Sequence, residues 1–156
     1  MRPPRSASAW TMAVFGASAL LFGILTLVAP DLVLAMLGFE VPVERASGDY
    51  TRTFLAASAV ASLNMGVYYL VAVATDWRPF FLFTVPFRLL TCTVFLVLVL
   101  VGVAPGRFVG VAAWEGLGAL ATGLALAVER RPMRHPGAGP VGAADAVGVS
   151  DRDAVN

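Results

Sequence analysis

The 156-residue chain contains no lysine: all eleven of its basic residues are arginine. With so much Ala, Gly and Val, this points to the codon bias of a GC-rich, bacterial genome. Cysteine is nearly absent too, and the single Cys92 excludes both an internal disulfide and a multi-thiolate metal site. The one histidine, His135, lies in a polar C-terminal stretch. Histidine-dependent catalytic dyads, haem ligation and imidazole zinc sites are thereby excluded from the rest of the chain, and no metal or other cofactor is expected. Charge of either sign is scarce, at 13% of residues with a net of +1, and the arginines are scattered. A phosphate-binding surface needs a concentrated basic patch, so nucleic acid is not an expected partner.

Apolar residues fill the space that charge leaves. They make up 58% of the chain, and the mean hydropathy of +0.80 lies far above that of a soluble domain. Crossing ~30 Å of hydrocarbon takes about 20 helical residues. Four apolar runs of that length are bounded by charge or proline: 10–29, 51–75, 80–103 and 108–128. The expected fold class is therefore an all-α membrane protein, a four-transmembrane-helix bundle occupying 10–130. The first run is not a cleaved signal, because Pro30 blocks the small-residue site at its end and three further spans follow.

The flanks suggest the rest of the organisation. With both termini cytoplasmic, Arg2, Arg5, Arg78, Arg130, Arg131 and Arg134 lie inside and Arg45, Arg52 and Arg107 outside. That asymmetry favours a multi-pass protein of the bacterial inner membrane with 1–9 cytoplasmic. After the first span, Asp31 can cap a short helix over 31–37 that Gly38 ends in a left-handed turn. It is too short to span and is read as interfacial, lying over the outer mouth of the bundle. The segment 131–156, rich in Pro, Gly, Ala and Asp without periodicity, reads as a disordered cytoplasmic tail.

Two ionisable residues fall deep within spans, where a charge must face protein or water and calls for a partner. Arg88 lies ~12 Å from the inner end of the third helix and Glu115 ~10 Å from the outer end of the fourth. A long Arg can bridge the remaining ~8 Å to a Glu on an adjacent helix. Helical periodicity puts Thr84, Thr91 and Cys92 on the face of Arg88, and Gly118, Ala119 and Thr122 on that of Glu115. Asn64, near mid-membrane on the second helix, shares a stripe with Ala57, Ala61 and Tyr68; Ser58, Ser62 and Gly66 form a second stripe of small residues. Pro86 can kink the third helix beside Arg88. The candidate site is Arg88, Glu115, Asn64, Tyr68 and Thr91, with Arg52 at the outer end of the second helix as a rival partner for Glu115. The competing structural reading is an ion pair that fixes helix register, with Asn64 and the serines bonding between helices.

Four stretches carry a resemblance: "LLFGILTLVAPDLVLAMLG", "YTRTFLAASAVASLNMGVYYL", "RPFFLFTVPFRLL" and "WEGLGALATGLAL". Over about residues 10–128 the chain resembles a group of small four-helix bacterial membrane proteins known as a domain of unknown function. The resemblance implies the same topology and the choice of Arg52, Arg88 and Glu115; it supplies no activity.

Three functions are compatible with these residues. The first is an accessory or ligand-binding bundle whose polar cluster holds an amphiphile with an anionic or hydroxyl head, or stabilises a partner membrane protein. The second is a small transporter, a homodimer because four helices are too few for most pores, with Glu115 as coupling carboxylate; Arg88 counts against it by holding Glu115 ionised. The third is an intramembrane enzyme acting on a lipid or isoprenoid, with Glu115 as general acid or base. The expected partners are membrane lipids, together with a hydrophobic small molecule or a membrane protein.

Overall fold

The computed structural model describes residues 6–130. Residues 1–5, with Arg2 and Arg5, and the segment 131–156, expected as a tail, lie outside the described residues. Four helices are each long and apolar enough to cross a bilayer, as in a multi-pass membrane protein: α1 (Ala7–Val28), α3 (Thr51–Ala74), α4 (Arg78–Leu100) and α5 (Val109–Glu129), the last preceded by a 3-10 turn at Gly106–Phe108. A short helix, α2 (Pro30–Leu37), follows the first, and no strand occurs among the described residues.

Local chemistry sets the ends of these elements. Ser6 caps α1, its hydroxyl accepting from the Ala9 N–H at 3.1 Å. At the other end Ala29 leaves helical geometry (φ −135°, ψ 63°) because a residue before proline is pushed out of the α region. Pro30 then opens α2, and Gly38 closes it at φ 86°, while the Phe39 N–H returns to the Leu34 carbonyl at 2.9 Å. Asp31 differs from its expected role: it sits inside the first turn of α2 and makes no capping bond. Its carboxylate instead accepts from Arg45 at 2.7 Å and Arg52 at 2.8 Å, two charged donors that outweigh one backbone N–H. The α4 helix runs unbroken through Pro86.

The helices pack as two antiparallel pairs, α1 with α3 and α4 with α5. Glycine permits the first pair its close approach. A Cβ on Gly66 would come 2.9 Å from the Gly16 carbonyl and 2.7 Å from Leu20, and Ser62 Oγ donates to the Ala19 carbonyl at 2.9 Å. The pairs join along α1 and α5, where Thr11 and Thr122 hydroxyls meet at 3.0 Å and Ser8 donates through N–H and Oγ to the Glu129 carboxylate at 2.9 and 2.8 Å. Although consecutive in the chain, α3 and α4 scarcely touch. A compact core of Met12, Tyr69, Ala72, Phe81 and Leu126 lies toward the face where α1 begins. At the other face Phe108 makes edge contacts with Phe39 and Phe95, at centroid distances of 5.9 and 5.0 Å.

Candidate functional site

Because α1 meets α5 while α3 and α4 stand apart, the two pairs enclose a half-open cavity of about 850 Å³. Its wall comes from all four long helices and the end of α2. Met65 of α3 and Phe83 and Phe87 of α4 line it and are also exposed, as are Phe22 of α1 and Trp114 of α5; because α3 and α4 scarcely touch, the mouth opens between those two. Most of the wall is apolar or aromatic; the charged side chains among its lining residues are Arg88 and Glu115.

Arg88 is buried, with 3% of its surface accessible. It reaches this position because α4 turns Phe81, Thr84 and Arg88 inward while Phe83, Leu90, Val94 and Val97 stay exposed, the division a 3.6-residue period imposes. Its Nε donates to Glu115 Oε2 at 2.9 Å, and the pair closes across the α4–α5 hairpin. The Phe15 ring lies under the guanidinium, with Cζ 3.2 Å from the ring centroid, and Phe15 packs in turn on Trp114 at 4.7 Å. A cation between an aromatic face and a carboxylate is well compensated in charge. Its hydrogen bonding is incomplete: Nη1 and Nη2 are both buried and have no acceptor among the described residues. Four N–H donors are thus left over, and a buried unpaired donor is costly.

The structure brings Arg88, Glu115 and Thr91 to this cavity, with the Thr91 hydroxyl donating to its own helix at the Phe87 carbonyl, 3.0 Å away. It does not bring the other three there. Asn64 and Tyr68 are exposed on the side of α3 turned away from α1. The buried residues of α3 are Ala59, Gly66, Tyr69 and Ala72, and Tyr69, one position along from Tyr68, lines the cavity. Arg52 does not pair with Glu115; it binds Asp31 at the face where α2 lies, in a chain of ion pairs that continues through Arg45 to Asp49 at 3.0 Å.

The first span carries no charge, so nothing in its residue types marks Phe15 as a site residue. Depth could have found it: Phe15 is eight residues into α1 and Arg88 ten into α4, and both helices start at the same face, so they sit ~12 and ~15 Å deep. Glu129 is likewise absent from the expected site, although two arginines, Arg130 and Arg131, follow it directly at the end of the last span. No group of three or more His, Cys, Asp or Glu side chains that could hold a metal occurs among the described residues. No protein-family model matches the chain, and searches of curated proteins and of solved structures find no match either.

Proposed function

We propose that this is a multi-pass protein of the bacterial cytoplasmic membrane, with both termini inside, that binds one amphiphile between α3 and α4. The apolar tail lies in the cavity, and a small displacement of the Phe15 ring that covers the guanidinium lets an oxygen of the head group accept from the Arg88 terminal nitrogens. The carrying observation is a 3%-exposed guanidinium, bordering an apolar cavity of about 850 Å³, whose Nη1 and Nη2 lack acceptors. Glu115 already neutralises Arg88, so a further full negative charge in this low-dielectric wall would be uncompensated. A neutral hydroxyl or carbonyl head is therefore favoured over a carboxylate. The mouth between α3 and α4 opens sideways, where a lipid-borne molecule arrives. The transporter reading gains nothing here, since the Glu115 carboxylate is already bonded to Arg88. No observation favours the enzyme.

The test uses Trp114 as reporter in a Trp10→Phe/Trp77→Phe background, titrated in detergent micelles with hexadecanol and, separately, with hexadecanoate. Removing one charge of the pair strands the other, at a cost of about 3–5 kcal/mol, so the informative variant is the double Arg88→Gln/Glu115→Gln. The expected result is a saturable Trp114 response to hexadecanol that weakens at least tenfold in the folded double variant, with hexadecanoate binding more weakly than the alcohol. Equal hexadecanol affinity in the reporter protein and the folded double variant would reduce the pair to a fixer of helix register.

A further inference from the structure

The residue left over by the cavity is Asn64. It lies ten residues, ~15 Å, from the end of α3, at the middle of a ~30 Å hydrocarbon core. Its side chain is exposed on the flank of α3 opposite buried Ala59, Gly66, Tyr69 and Ala72. The polar side chains of α3 and its C-cap that find partners do so inward, Ser62 with the Ala19 carbonyl, or at the ends, Thr51 with Asp49, Arg52 with Asp31 and the capping Thr75 with Val71; Asn64 has no partner among the described residues. A carboxamide facing hydrocarbon at this depth has neither water nor protein to accept its N–H groups or donate to its oxygen.

Its surroundings specify what would satisfy it. Thr53, Ala57, Val60, Asn64, Val67 and Val71 are all exposed and follow one another at spacings of 4, 3, 4, 3 and 4 residues. That is the a/d pattern of a left-handed helix pair, small and β-branched throughout, with one asparagine at its centre. Asparagine is self-complementary, since one amide can donate to a second and accept from it. Two copies of a membrane chain insert with the same topology, so a two-fold axis along the membrane normal sets α3 beside α3 in parallel and brings Asn64 opposite itself.

We propose that the outward face of α3 is the seam of a parallel homodimer, in which Asn64 and Asn64 of the partner subunit hydrogen-bond across the two-fold axis. The polar pair fixes register and limits the assembly to two chains, as a single buried asparagine does in a coiled coil. The seam lies on the flank of α3 away from the helix's packed side and does not depend on whether the cavity holds a ligand.

Single cysteines are introduced in a Cys92→Ser background at Ala57, Val60, Val67 and Val71 on the seam, and at the exposed off-seam positions Ala56 and Ser58, then oxidised in native membranes. The expected result is a cross-linked species of twice the chain mass at the four seam positions, at least fivefold stronger than at the two controls. In a second measurement, donor- and acceptor-labelled chains in liposomes are diluted with lipid. Asn64→Leu, which keeps an apolar helix surface, is expected to dissociate at a protein-to-lipid ratio at least tenfold higher than the wild type. Equal cross-linking at seam and control positions, a product with the mass of a different protein or of a trimer, or unchanged dissociation in Asn64→Leu would each overturn the proposal.

Discussion

Gly118 lies where two side chains of the site converge. A methyl group there would fall within the ring of Phe15 and 2.7 Å from Arg88 Nη2. Neither neighbour can give way at small cost, since Phe15 is held between Trp114 and the guanidinium and Arg88 is bound to Glu115. Gly118→Ala should therefore destabilise the bundle by about 1–3 kcal/mol, as overpacking of a filled site does. Denaturant unfolding in detergent micelles checks this, and a Trp114 emission shift in the folded variant would report displacement of Phe15. The same residues show how far a single sequence reaches. Arg88 and Glu115 were legible because a charge in hydrocarbon is costly enough to demand a partner on a neighbouring helix. Which way α3 faces was not legible: Asn64 and Tyr68 have the more chemical side chains, yet the inward side is decided by the small residues Ala59 and Gly66, which let α1 approach.

At the scale of elements, helix existence followed from apolar length and helix ends from proline, glycine and serine, so the four long helices and the turn at Gly38 could be read directly. Asp31 could not, because its choice between capping α2 and pairing with Arg45 and Arg52 depends on how the long connection folds back. That clasp gives α2 and the start of α3 a pH dependence. The Arg52 hydrogen bond, and then the charges of Arg52 and Arg45, hold the Asp31 carboxyl below its ordinary value against some desolvation. Bonds from the Thr51 hydroxyl and N–H, then Arg45, do the same for Asp49. Both carboxylates bind protons less readily folded than unfolded. Their contribution is complete above the unfolded value, near pH 4, and is lost as pH falls through the lower folded values. Hydrogen exchange of α2 and of the first turn of α3 should accelerate between neutral pH and pH 3, after correction for intrinsic exchange rates. Asp31→Asn should show at neutral pH part of the loosening that acid produces in the wild type.

For the whole molecule, two tight helix pairs joined along one side and parted on the other make an arrangement that needs fastening at its ends. The α2 clasp serves one face. At the opposite face Glu129, at the last residue of α5, accepts both Ser8 donors at the start of α1 and lies 3.5 Å from Arg78 at the start of α4. One carboxylate thus ties the beginnings of two helices to the end of a third, and it satisfies an N–H in the first turn of α1 that has no intrahelical partner. Its side chain is 16% exposed, so part of this hydrogen bonding is sheltered from competing water. Glu129→Ala should cost about 1–3 kcal/mol, the penalty for leaving largely buried donors unpaired, measured by denaturant unfolding in micelles. Its local signature should be faster exchange at Ser8 and the first turn of α1. Arg88 lies ten residues along α4 from Arg78, ~15 Å away, so the hexadecanol response of Trp114 should survive in the folded variant. Loss of that response together with the clamp would mean that the cavity keeps its shape only while Glu129 holds the two pairs together, which would make the fastening at this face part of the binding site.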